Sequence, residues 1–453
     1  MTIFKRTAKN AGILFASNAI AKLLNFFYTV SMARYLGAEF FGILSFAMAF
    51  ALIFGVFADL GLQTLSVREI ARNKTLTGKY LRNIAAIKLI LGLIVVIFIA
   101  IVLRFTHYPF ETVYVIYLIS ISVLLNSFNN MFYAVYQAHE KMKYIGIANV
   151  LNSVLMFSGV IAFIYLKLNI IDFAYVYLLS AILILIFNLI NIVRGGFIKL
   201  NATKNKEDRI GDKIEDKIDF KFWKNLLKNS IPFGLISIFV IIYFKIDSVM
   251  LGVMKTDKAV GYYSAAYRLI DVLTALVPAV IFSAIFPVMS QYLNFNDKLK
   301  KIYIFSFKLS LFAGAGIAIF TLLFARYIII AVYGSGYAGS IISLQILVWA
   351  FFVMCISSVT SGLLSSVNKQ NIVTVGAGAG ALINVGLNLL LIPIYSLNGS
   401  AAATVITEIF MAVLYIYQTA KFLKLDRSDI ISMFKISKSD IKDIISLSKS
   451  TRT

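Results

Sequence analysis

The chain has 453 residues, of which 60% are hydrophobic and 14% charged, whereas soluble domains run at roughly 45–50% apolar and about 25% charged. That excess of apolar side chains exceeds what a water-soluble core buries, so soluble enzymes, nucleic-acid-binding domains and disordered chains are excluded and a polytopic membrane protein remains. The formal charge of +22 does not collect on one soluble face, as nucleic-acid binding requires; it falls between apolar runs.

Apolar spans are predicted near 11–33, 40–66, 84–103, 113–138, 145–166, 173–193, 229–253, 260–288, 302–324, 340–366, 371–392 and 400–420. Each is long enough for a helix to cross a hydrocarbon core about 30 Å thick. Lys5, Arg6 and Lys9 precede the first span, but it continues to residue 33 without a small-residue cleavage site, so it is read as retained. The run Tyr327–Tyr333 is too short to cross and is expected to form an interfacial turn. The fold class is therefore an all-α polytopic membrane protein, with about 12 transmembrane helices in two six-helix bundles.

Lys and Arg in alternate loops set the orientation. The side carrying both termini holds 32 of them and the opposite side six: Arg34, Arg104, Lys167, Lys255, Lys258 and Arg326. Both termini are expected in the cytoplasm and the protein in the cell (inner, cytoplasmic) membrane. The predicted organisation is a six-helix lobe over 1–193, a basic cytoplasmic linker over 194–228, a second lobe over 229–420 and a basic cytoplasmic tail over 421–453. The linker reads as solvated chain or as a surface for anionic headgroups.

Six spans on either side of the linker suggest a repeat. Leu36-Gly37 followed by Gly42 corresponds to Leu251-Gly252 followed by Gly261, at offsets of 215 and 219. An even number of spans makes the second half enter in the same sense as the first, which places a pseudo-two-fold axis along the membrane normal and a cavity between the lobes, as in transporters.

Several segments resemble polysaccharide-biosynthesis flippases, the O-antigen-type members of the multidrug/oligosaccharidyl-lipid/polysaccharide exporter superfamily. These are Ala33 to Gly42, Asp59-Leu60-Gly61-Leu62, Val67-Arg68-Glu69-Ile70, Ile246 to Gly252, Gly261 to Leu269, Phe286-Pro287, Asn384 to Asn388 with Leu391-Ile392-Pro393, and Asn398 to Ala403, where Ser400 departs from the usual small pair. The resemblance implies translocation of a polyprenyl-linked saccharide. Its partners would be that substrate, membrane lipids and glycan-assembly enzymes, with no nucleic acid and the oligomeric state open.

Charges at bilayer centre cost at least about 2.5–3.5 kcal/mol and usually face an aqueous cavity or a partner. Lys22, Lys245 and Arg268 are the candidate substrate-binding cations. Asn18, Lys22, Asn25 and Thr29 fall at i, i+4, i+7 and i+11 on one helical face, and Asn126, Asn130, Tyr133 and Gln137 repeat the spacing. Asn18, Asn25, Asn126 and Asn130 are thus candidate contacts for sugar hydroxyls and phosphate, or members of interhelical hydrogen bonds. Asp59, Asp247 and Asp271 are coupling-ion candidates, beside the buried acid Glu408; Arg268 and Asp271, at i and i+3, also read as mutual neutralisation. Lys88 and Lys308 are expected to snorkel to the cytoplasmic interface. Pro278 and Pro287 interrupt span eight.

Cofactors are not expected. The one cysteine, Cys355, and two histidines, His107 and His139, supply no thiol or imidazole cluster. Gly376 to Gly380 lies in a span with no preceding strand, and no G-x-x-x-x-G-K-[ST] sequence is present. Competing functions are a cation-coupled multidrug exporter of the same superfamily and a membrane saccharide polymerase or ligase, which the short outer loops disfavour.

Overall fold

In a bilayer every backbone N–H and C=O must be satisfied within its own segment, so apolar runs of this length become helices. The computed structural model describes residues 3–197, 220–292 and 296–435, and the regular structure there is helical. Most of the predicted linker and of the predicted tail lie outside these residues. The helices are α1 (Ile3–Gly55), α2 (Leu62–Arg72), α3 (Thr77–Arg104), α4 (Phe110–Ala138), α5 (Met142–Tyr165), α6 (Ile170–Arg194), α7 (Phe220–Met254), α8 (Asp257–Leu276), α9 (Pro278–Gln291), α10 (Asn296–Tyr333), α11 (Ile341–Ser366), α12 (Gln370–Leu423) and α13 (Arg427–Met433). Among the described residues ten stretches are long and apolar enough to cross a membrane.

Two of the ten are too long for one straight crossing. At 1.5 Å per residue, the 53 residues of α1 and the 54 of α12 would each reach about 80 Å, far more than a bilayer core. Both contain a residue off the helical backbone: Gly37 (φ 73°, ψ 174°) and Ser396 (φ 52°, ψ −133°). Side-chain contacts show that the chain doubles back at each. Near the start of α1, Asn10 donates to the Glu140 carbonyl (3.0 Å), while Tyr35, beside the break, donates to the Leu168 carbonyl in the loop at the far end of α5 (3.0 Å). The start of α3 then lies at the first end again, since Thr77 Oγ1 is 2.9 Å from His139 Nε2. In α12, Tyr415 donates to the Val373 carbonyl (3.0 Å) and the Lys369 ammonium sits 4.4 Å from the Phe422 ring centroid, so its two ends adjoin.

The chain forms two compact units, 1–261 and 262–453. In the first, α1 packs on α4, α5 and α7, α4 on α2, α3 and α6, and α2 on α7. In the second, α11 packs on α9, α10 and α12, and α13 lies on α10. The expected interfacial turn at Tyr327–Tyr333 is instead the continuous end of α10. Its residues remain helix formers with no proline or glycine to stop them until Gly334 (φ 91°). Span eight is broken at Val277, where Pro278 opens α9 and cannot donate the hydrogen bond a continuing helix needs.

In the first unit the loops holding Glu39, Tyr108 and Gly252 to Lys258 meet around a cavity of about 480 Å³. Gly42 makes this end possible: a Cβ there would lie 1.8 Å from the Asp257 carbonyl oxygen and 2.9 Å from the Gly261 nitrogen. The two glycines matched by the repeat therefore let two backbones touch, as small residues do in lipid-embedded helix pairs. Gly42→Ala is expected to destabilise the protein by about 1–3 kcal/mol, the usual cost of overpacking. Gly12→Ala, with open space around its Cβ, should be neutral or stabilising. Thermal midpoints in detergent check this, and equal midpoints for the two variants would contradict the close approach.

Candidate functional site

The second half of α1 runs through one 3-10 turn, Val56–Ala58, to Asp59, and there the helix stops. The amides of Asp59 and Leu60 both donate to the Val56 carbonyl at 3.1 Å, and the Leu62 amide donates to the Asp59 carbonyl at 2.9 Å. Leu60 (φ 45°) and Gly61 (φ 80°) are left-handed, after which α2 begins. A Cβ on Gly61 would sit 2.4 Å from the Gly234 nitrogen and 2.5 Å from the Ser230 carbonyl oxygen of α7. A Cβ on Gly234 would sit 2.7 Å from the Leu60 carbonyl. Only a glycine pair allows this crossing.

Beside the break stands Lys88, about 16 Å along α3 from its first residue at 1.5 Å per residue. The sequence places it at the interface by snorkelling; the structure does not. Its side chain is 1% exposed and its ammonium is ion-paired with Asp59 Oδ1. It also donates to the Ser127 carbonyl (2.9 Å) and to Ser127 Oγ (2.7 Å). An ammonium has three donors, and here each has an acceptor. Asp59, 24% exposed, is the partner, so this coupling-ion candidate is half of a salt bridge. Lys308 is buried as well, at 6% exposure. Sequence depth alone missed both, because it measures distance from a helix end and not which face meets protein.

The predicted amide stripe of α1 runs from exposed to buried. Asn18 and Lys22 are exposed, Asn25 is half-buried and Thr29 buried. Asn18 Oδ1 accepts from Asn149 of α5 (3.0 Å), and Thr29 donates to Asn25 Oδ1 (3.4 Å). Lys22, at the midpoint of its span, has no ion-pair partner among the described residues. In α4 the predicted stripe is offset by one residue from the buried one. Asn126 is exposed and Asn130 half-buried, whereas Asn129, absent from the sequence prediction, is 1% exposed. Asn129 donates to Asn126 Oδ1 (3.3 Å) and the Ala181 carbonyl (3.4 Å), and accepts from Asn188 of α6 (3.0 Å). That amide set holds α4 to α6.

Lys245 on α7 is half-exposed, and Asp247 two residues on is 2% exposed. In the second unit Arg268 and Asp271 are 3.8 Å apart with side chains 30% and 38% exposed, the mutual neutralisation that their spacing suggests. Glu408 is 3% exposed. Ser400, the departure from the family pattern, donates to Asn388 Oδ1 (2.8 Å), and Asn388 donates to Asn384 Oδ1 (3.0 Å). Its hydroxyl thus satisfies a buried amide across the Ser396 break. At the α4–α5 loop, burial and the cations Lys74 and Lys141 lower the His139 pKa. Among the described residues no three His, Cys, Asp or Glu side chains converge as metal ligands.

The sequence profile described as "Polysaccharide biosynthesis protein" matches residues 7–293, and the MatE profile matches 232–390. The probable low-salt glycan biosynthesis flippase Agl15 of Haloferax volcanii is 22% identical over 421 residues, covering 92% of this chain and 84% of that protein. Among solved structures, the lipid II flippase MurJ in an inward closed conformation superposes with a TM-score of 0.72 at 15% identity, over 96% of this chain and 95% of that one. An inward-facing multidrug resistance MATE family transporter of the MOP superfamily gives 0.68 at 19% identity, over 89% and 94%. The long helices, two of them doubled back, are thus a fold shared with both transporters. The first profile spans well over half of the sequence, and the chain therefore belongs to the polysaccharide biosynthesis protein family of membrane proteins and is a transporter rather than an enzyme.

Proposed function

We propose that the protein is a flippase that moves a polyprenyl-(pyro)phosphate-linked oligosaccharide from the cytoplasmic to the outer leaflet by alternating access, in surface polysaccharide or glycan assembly. Lys22 carries this reading: a cation at mid-span with no carboxylate partner among the described residues, flanked on its helical face by the amides Asn18 and Asn25. An ammonium there attracts an anionic headgroup strongly, because unlike charges interact more at reduced dielectric than in water. Lys245 and Arg268 supply further cations along the path, and Asn126 and Asn130 offer amides to sugar hydroxyls. The family membership and the flippase named in Haloferax volcanii support the same substrate class.

In this reading the ten long helices, with α1 and α12 each crossing twice, make twelve crossings grouped as 1–193 and 229–420, in the cytoplasmic membrane with both termini inside. Asp59, Asp247 and Asp271 remain coupling-ion candidates, with Asp59 beside Lys88 and Asp271 beside Arg268. The MatE profile over 232–390 favours one second reading, a cation-coupled exporter of small drugs. A cationic helix face repels organic cations, which sets the two readings apart by experiment.

Two outcomes are expected. In a Cys355→Ala background, single cysteines at Asn205 and Ser335 should label from opposite sides of intact cells, Asn205 from the cytoplasm; labelling of both from outside would end the twelve-crossing topology. In vesicles holding the protein and a fluorescent lipid-linked diphosphate oligosaccharide, Lys22→Ala should slow flipping roughly ten- to hundredfold, since a hydrogen bond to a charged group contributes about 1.5–3 kcal/mol. Protein abundance should be unchanged. An unaltered rate, together with efflux of an organic cation that survives the substitution, would favour the exporter.

A further inference from the structure

The Lys88 salt bridge is built unevenly. Two of its three acceptors, the carbonyl and hydroxyl of Ser127, belong to the regular helix α4. The third, Asp59, belongs to the left-handed break at Leu60 and Gly61. The lysine end is 1% exposed and the aspartate end 24%. Lys88 is thus fixed to α4, whereas Asp59 is the end that water reaches and the end carried on a backbone interruption. If Asp59 moves away, Ser127 still satisfies two of the ammonium donors.

The break is tied to α7 on its other side. Gly61 and Gly234 meet backbone to backbone, the Arg68 guanidinium lies 5.5 Å from the Phe233 ring centroid, and Leu226 shares an apolar cluster with Leu62, Leu65 and Ile70. A contact this close cannot slide without collision, so the break and this part of α7 shift together. The same helix carries Lys245 and Asp247, about 16 and 20 Å beyond Gly234 at 1.5 Å per residue.

We propose that Asp59, Lys88 and Ser127 form a lock that sets the position of α7, and hence of Lys245 and Asp247, by holding the Asp59–Gly61 break against α4. Asp59 and Lys88 are positioning residues that act through the Gly61–Gly234 crossing. The proposal rests on the transport reading for its functional consequence. Its physical basis is that a buried ion pair replaced as a whole by neutral groups of similar volume is often no less stable, while removal of one partner strands a charge. The pair is therefore separable from folding, and a pair kept for positioning reveals itself when both members are neutralised together.

The test uses the full chain with Cys355→Ala, in lipid nanodiscs for distances and in vesicles for flipping. Spin labels go on the exposed positions Ile121 of α4 and Ile236 of α7. Asp59→Asn alone, which leaves the buried ammonium without its counter-charge, should lose folded protein. Asp59→Asn with Lys88→Met should fold with a thermal midpoint near that of the parent, flip at least tenfold more slowly, and replace one narrow label distance by a broad or double distribution. Gly234→Ala, which leaves the ion pair in place but forces α7 off the break, should change the distance and the rate in the same direction. A double variant that flips at the parent rate with an unchanged distance overturns the lock. If the double variant does not fold, an unchanged distance in Gly234→Ala overturns it. If the parent protein moves no lipid-linked saccharide, the transport reading fails, and the label distances alone decide the lock.

Discussion

An ammonium that cannot reach water has to find its acceptors within the protein, and at Lys88 that requirement joins three segments far apart in sequence. Asp59 lies 29 residues before the lysine and Ser127 lies 39 after it. A charge left alone at membrane depth costs several kcal/mol, so any arrangement of α3, α4 and the Asp59 break that parts these groups is disfavoured. The arrangement that satisfies them also presses the break onto α7. A glycine at φ 80° serves both ends here, since it permits the left-handed turn and leaves the Cβ position empty for the Gly234 backbone.

Packing elsewhere follows from the absence of a hydrophobic drive between helices that already sit among lipid tails. Association then relies on close van der Waals contact and on hydrogen bonds across helices. The first appears where Gly42 meets Asp257, and where a Cβ on Gly159 would lie 2.7 Å from the Val176 side chain. The second appears in Asn129 with Asn188, and in Asn388 with Ser400. Amides in a span thus have two fates. Asn129 and Asn388 are buried and consumed by such contacts, while Asn18 and Asn126 each accept one hydrogen bond and stay exposed.

Much of this was legible from residue order. Hydropathy located the long helices, though predicted span 40–66 runs past the Asp59 break and span 260–288 is broken at Val277, and the glycine and Asp59-Leu60-Gly61 signatures fall where α1 doubles back and where it ends. Arg268 and Asp271 pair as their spacing suggests. The misses have physical causes. Tyr327–Tyr333 is too short to cross by itself, but a helix needs no new start when nothing stops the one before it. Lys88 was expected at the interface, but snorkelling depends on the direction a side chain faces, and a helix register slip of one residue, as between Asn130 and Asn129, exchanges a packed face for an open one. Ser127 carries no charge and looks like any hydroxyl in a span until a lysine is placed against it.

The same scaffold accommodates a lipid II flippase and a multidrug transporter at 15% and 19% identity, so the helices themselves do not select cargo. Selection has to come from side chains that are charged, at membrane depth, and not already neutralised by the fold. Lys88 fails the last condition because Asp59 and Ser127 occupy its donors, and Arg268 meets it only in part beside Asp271. Lys22 is exposed and has no carboxylate partner among the described residues. The fold thus ties up Lys88 in holding the Asp59 break to α4 and, among the described residues, leaves Lys22 out of its ion pairs, which separates a cation spent on structure from one that is not.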